Sequence, residues 1–243
     1  MRDGGAFDVG APFDASGFSD GGDIPDAPSP LDAPNPADTG SGEPPLCPLD
    51  PLLVACYPFD GDTADHGPLG NHLGSRHIDY DPNGGVLLSE SSSLVRTHRP
   101  QLDHGVVTLD AWVRLDADPG NDRAMIADHD GVVGLWVMQG ELICSLNTNL
   151  GTVRVSAVNT IQVGILRHVA CTFDGLNVAL YVDGRLQRRI VALGLLTTPA
   201  NPLHVGENAP DGRDQWIGLI DNLRIWNWGR SEADISADFA RGR

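Results

Sequence analysis

Between Leu52 and Trp226 the chain is made of short runs in which apolar and polar side chains alternate, separated by Gly, Asp and Pro. Val107–Leu115 is the cleanest. Leu109, Ala111, Val113 and Leu115 fall on one side, and Thr108, Asp110, Trp112 and Arg114 on the other. A period of two belongs to a pleated strand with one face buried. Comparable runs lie at Leu52–Tyr57, Ala124–His129, Val133–Met138, Glu141–Leu146, Thr152–Ala157, His168–Phe173, Asn177–Val182, Arg185–Val191, Leu203–Gly206 and Trp216–Trp226. The pairs Asp130-Gly131, Asp174-Gly175 and Asp183-Gly184 punctuate them and supply the positive φ that tight hairpin turns require. Strands in this number and spacing predict an all-β antiparallel sandwich or barrel. Only the end of the chain reads as helix: Ser231 and Asp234 have the spacing of a capping box, and Ile235 and Phe239 follow at helical spacing.

Residues 1–45 lack this pattern. They hold eight Pro, eight Gly, nine acids and one base, a net charge of −8. So little apolar surface does not offset the entropy of ordering a backbone, and the segment is expected to be a disordered acidic linker. Residues 46–243 are expected to form one domain. Of the total charge of −17 they keep −9. An acidic body argues against nucleic acid and against anionic membrane surfaces, both of which need a basic footprint. No run of 18 or more apolar residues exists, so no direct membrane insertion is expected. Four cysteines, Cys47, Cys56, Cys144 and Cys171, show no C-x-x-C spacing. An even number in an all-β chain favours disulfides and an oxidising compartment. Four cysteines allow three connectivities. No secretion signal is visible behind Met1, so a signal or lipid anchor, if used, is expected to lie outside this sequence.

Three segments resemble the laminin-G-like, concanavalin A-like jelly-roll family. Leu53–Gly61, with Asp65 and Asn71 following, is similar to the opening strand and its Asp/Gly/Asn-rich loop. His168–Gly175 with Leu180–Gly184 is similar to the central hairpin, although Arg167 stands where the family usually has Trp. Gly218–Asn227, followed by Ser231, is similar to the closing strand and terminal helix. The resemblance implies a two-sheet jelly-roll sandwich with a short C-terminal helix. It also implies a disulfide between Cys144 and Cys171, read as neighbouring strands, which leaves Cys47 for Cys56.

The resemblance further implies a calcium ion at the rim, with acids in the opening loop (Asp60) and the closing strand (Asp221). Asp62, Asp65 and Asn71 would complete the six to eight oxygens that calcium takes. Asp221 interrupts an apolar run, and a lone buried carboxylate is costly. Turn chemistry accounts for Asp60 and Asp62 without a metal, and Arg224 offers Asp221 a partner. Trp226 and Trp228 are either a platform for a sugar ring or packing. No Glu-x-Asp-x-x-Glu strand, G-x-S-x-G or H-E-x-x-H motif is present. The nearest titratable cluster, Asp128-His129-Asp130, falls on a turn. The resulting expectation is a non-catalytic extracytoplasmic or surface-tethered module that binds a glycan. Its rivals are a structural or protein-adhesion domain of a surface protein and a polysaccharide-cleaving enzyme.

Overall fold

A computed structural model describes residues 45–210 and 212–243. The linker expected over residues 1–45 therefore falls almost wholly outside the described residues. The alternating runs become strands of two antiparallel sheets. One sheet has the order β13 (Arg185–Val191), β12 (Asn177–Val182), β11 (Leu166–Phe173), β6 (Val107–Leu115), β15 (Gly218–Trp226), β4 (Val86–Leu88) and β3 (Asp79–Tyr80). Its eighth strand, β1 (Leu53–Tyr57), pairs with the second half of β15, while β4 pairs with the first half. The other sheet has the order β10 (Gly151–Ala157), β9 (Glu141–Thr148), β8 (Val133–Met138), β7 (Ala124–His129), β14 (Leu203–Val205), β5 (Ser93–Arg96) and β2 (Gly74–Arg76). Together they form a jelly-roll sandwich.

The core lies between the sheets. Leu109, Ala111, Val113 and Leu115 of β6 face Leu135, Val137, Leu142 and Leu146 of the opposite sheet within one apolar cluster. Cys144 on β9 is bonded to Cys171 on β11, and Cys47 to Cys56. The first bridge joins the two sheets, so its strands are not neighbours within one sheet as the sequence suggested. It closes a separation of 27 residues, which on a chain-entropy basis contributes about 3 kcal/mol.

Helix α1 (Glu232–Arg241) begins at the capping box, with the Ser231 side chain accepting from the Asp234 amide. It packs on the outer face of the eight-strand sheet. Ile235 joins Ala170, Ala179 and Tyr181, and Phe239 stacks on Trp112 with ring centroids 5.6 Å apart. Beneath it, Arg224 donates to Asp110 at 2.9 Å and to Asp238 at 3.2 Å, and Arg230 and Arg241 also pair with Asp238. Burial alone would raise the Asp110 carboxyl. The Arg224 charge, with His168 nearby, overcomes this and holds it below the usual carboxylate range. Arg224 is thus spent on Asp110 and Asp238 and does not pair with Asp221.

Candidate functional site

The outer face of the seven-strand sheet differs, because α1 lies on the other sheet. Strand register lines up its outward side chains. His204 on β14 is opposite Asp128 on β7, which is opposite Gly134 on β8, then Ser145 on β9, then Arg154 on β10. The adjacent row carries Met125, Trp136 and Ile143, which pack together outside the main core. Gly134 is the gap in the first row. A Cβ there would sit 3.2 Å from Asp128 Oδ1 and 3.3 Å from the Trp136 ring. The gap opens a cleft of about 170 Å³ lined by Asp128, Asp130, Trp136, Ser145, Asn147 and Arg154, among others.

The cleft is polar and incompletely satisfied. Burial pushes the Asp128 carboxyl up to about 6, with Asp130 adding to the effect, although its other oxygen accepts the Ala209 amide at 2.9 Å. Asp130 is held by the Asn201 side-chain amide at 3.1 Å. Trp136 is 4% exposed, with the guanidinium groups of Arg123 and Arg154 lying 5.8 and 5.2 Å from its ring centroid. Its ring is therefore covered, and its indole N–H, itself buried, has no acceptor among the described residues, as is also true of Trp226. An unmet buried donor costs about 1–3 kcal/mol. Hydroxyl-bearing ligands suit such a site, because they donate to carboxylates and accept from indole, amide and guanidinium groups at once.

The structure places Trp226 and Trp228 elsewhere. Trp226 ends β15, is buried, and packs with Leu53 and the Cys47–Cys56 bridge. Arg230 covers its ring at 4.4 Å. Trp228 lies beyond the strand and is 52% exposed. Both line a cavity of about 410 Å³ whose charged walls include Arg224, Arg230, Asp238 and Arg241. Those four already pair with one another to hold α1.

The five rim residues expected around calcium do not form one coordination set. Asp65 accepts the amides of Cys56, Gly67 and Asn71 at 2.6–2.8 Å, so it organises the opening loop. Asn71 donates to the Val54 carbonyl. Asp62 accepts the Ala64 amide and pairs with His66. Only Asp60 and Asp221 converge, both lying within 4 Å of the point where a Cβ on Gly84 would sit. Asp221 stands where the partner of β15 changes from β4 to β1, beside Asn222 with φ of 50°. One of its oxygens accepts from Arg243, which also donates to the Gly84 carbonyl; the other has no partner among the described residues. A guanidinium therefore stands where the resemblance implies a cation, and no group of three or more His, Cys, Asp or Glu among the described residues has metal-site geometry. Burial nonetheless raises the Asp221 carboxyl.

Residues 89–236 match the sequence family described as the concanavalin A-like lectin/glucanases superfamily, the Laminin_G_3 group. The chain belongs to that family. None of the curated proteins matches the sequence. Among solved structures, it is similar to the binding domain of Paraclostridial Mosquitocidal Protein 1, with 14% identity over 77% of this chain and 52% of that one, and a TM-score of 0.66. It is also similar to domain 4 of AbnA, an extracellular arabinanase of Geobacillus stearothermophilus, in complex with arabinotriose. There the identity is 18% over 76% of this chain and 97% of that one, with a TM-score of 0.62. The receptor binding domain of a botulinum neurotoxin of mosaic serotype C/D gives 12% identity over 79% and 51%, with a TM-score of 0.64. The chain thus spans about half of each toxin domain and nearly all of the arabinanase domain. At these identities the likeness is one of fold.

Proposed function

We propose that this domain is a non-catalytic carbohydrate-binding module that works outside the cytoplasm, and that its ligand lies in the Gly134 cleft. The observation that carries the reading is the lane at Gly134, flanked by Asp128 and the Trp136 ring and lined further by Ser145 and Arg154. The arabinotriose complex of the similar arabinanase domain supports a sugar as ligand. A non-catalytic role is supported by the similar toxin structures, which are binding domains. Two disulfides support an oxidising compartment. No helix among the described residues is long and apolar enough to cross a membrane.

The test is a glycan array probed with the full chain and with Gly134→Val. The backbone at Gly134 is not in the left-handed region, so the added side chain fills the lane at the cost of small shifts in Asp128 and Trp136. Binding to one sugar class that Gly134→Val abolishes and Trp228→Ala preserves supports the cleft. Loss in Trp228→Ala alone moves the site to the Trp226–Trp228 cavity.

A protein-adhesion reading has one observation in its favour. Leu150, Leu176, Leu193 and Leu195 are all more than half exposed, on loops tied together by the Asn149–Leu195 and Gly194–Gly175 backbone hydrogen bonds. A blank array with folded protein would favour that aliphatic end of the sandwich as a protein contact.

A further inference from the structure

Arg154 belongs to two hollows. It overlies Trp136 in the Gly134 cleft, and it lines a groove of about 530 Å³ between β10 and β13, the edge strands of the two sheets. Gln187 and Arg188 stand on the β13 side of that groove. Gln187 and Thr160 also line an adjoining hollow of about 480 Å³, together with Arg167 and Arg185. Arg154 thus borders both the cleft and a longer depression lined by arginines.

A β-bulge brings these arginines together. The β12–β13 register shifts between Leu180 and Tyr181, which leaves Gln187 as an extra residue on β13. Leu186 packs with the cluster beneath α1, and Arg189 reaches Tyr181 and Glu232, so these two face the helix. Arg185 and Arg188 line the groove instead. In an unbroken strand their odd spacing would put them on opposite faces.

The depression is cationic within an acidic protein. No carboxylate lines the first hollow. The second has only Asp183, which Arg167 holds at 2.6 Å and which also accepts the His168 amide. Among the described residues, Arg154, Arg185 and Arg188 have no carboxylate within 4.0 Å. The net negative charge of the rest of the domain does not cancel this, because at physiological salt fields are screened within about 8 Å. Guanidinium forks match carboxylate and sulfate oxygens in pairs.

We propose that this groove extends the sugar site, and that the ligand is a linear polysaccharide bearing carboxylate or sulfate groups. The inference rests on the sugar-binding reading of the cleft. The test uses the full chain in titrations with polygalacturonate and its methyl ester, and with dextran sulfate and dextran. At least one acidic polymer is expected to bind about tenfold or more tightly than its neutral parent, and to weaken as salt rises. The double variant Arg185→Gln/Arg188→Gln is expected to lose that preference while keeping its melting temperature. The carboxylate and sulfate arms tell the two anions apart. Equal affinity for acidic and neutral polymers overturns the anionic class and leaves the sugar reading standing. An acidic preference that survives in the double variant overturns the groove. No binding of any polymer by folded protein overturns the sugar reading itself.

Discussion

The two outer faces of the sandwich are treated in opposite ways. On the eight-strand sheet, α1 covers the surface, and the charges beneath it pair in one network: Arg224 bridges Asp110 and Asp238, and Arg230 and Arg241 complete Asp238, although one oxygen of Asp110 and both ring nitrogens of His168 have no partner among the described residues. On the seven-strand sheet the charges pair separately, Arg123 with Asp214 and His204 with Glu207. Asp128 is buried against its preference, and among the described residues the Trp136 N–H has no acceptor and Arg154 no acid. Unpartnered polar groups occur on both faces, so what separates them is cover: α1 lies over those of the eight-strand sheet, and no α-helix among the described residues lies over the seven-strand sheet.

The largest test of this contrast is on the sealed face. Asp238→Ala leaves three arginines without their shared carboxylate, one of them fully buried, and is expected to cost about 3–5 kcal/mol in chemical denaturation. A loss below 1 kcal/mol would mean that the network is solvated and the face not sealed. The open face should respond in the other direction. Asp128 has its folded-state carboxyl raised from an ordinary 3.8 to about 6, so its contribution is most favourable in acid and is lost as pH rises through about 6. Asp128→Asn removes that loss. It is expected to stabilise the protein at pH 7.5 by up to about 3 kcal/mol and to leave stability near pH 4 unchanged. A variant destabilised at both pH values would make Asp128 structural. The smallest effect lies at the rim. Arg243→Gln should lower stability by about 2 kcal/mol, since Asp221 loses the one cation it pairs with among the described residues. Thorough chelation with EGTA should leave the wild-type melting temperature unchanged. A melt that drops in EGTA would show that calcium, not Arg243, holds Asp60 and Asp221 together.

Much of the fold was legible in the sequence, because strands with one buried face carry a period of two and their turns carry Asp-Gly. The terminal helix showed itself through Ser231 and Asp234. Strands β2 to β5 were not legible. Gly74–Arg76 is wholly exposed, has no apolar face and is a strand only because β5 pairs with it, and Asp79–Tyr80 is two residues long. The site was less legible still. Asp128 stood out as part of a titratable cluster, but Gly134, Ser145 and Arg154 meet it only through register across four strands, which no local pattern encodes. One signal was present: in Val133–Met138, Trp136 falls on the side opposite Val133, Leu135 and Val137, two residues after a glycine. In the opening loop Asp65 and Asn71 bond to the backbone, work that resembles metal ligation in composition.

The most direct measurement is a two-dimensional ¹H–¹⁵N spectrum of the indole N–H signals of the five tryptophans, recorded while a sugar that scores on the array is titrated in. The Trp136 indole signal should shift as the ligand fills the lane beside its ring, with the Trp226 and Trp228 signals still, and Gly134→Val should abolish the change. Movement confined to Trp226 and Trp228 would contradict the account and place the ligand against the helix instead.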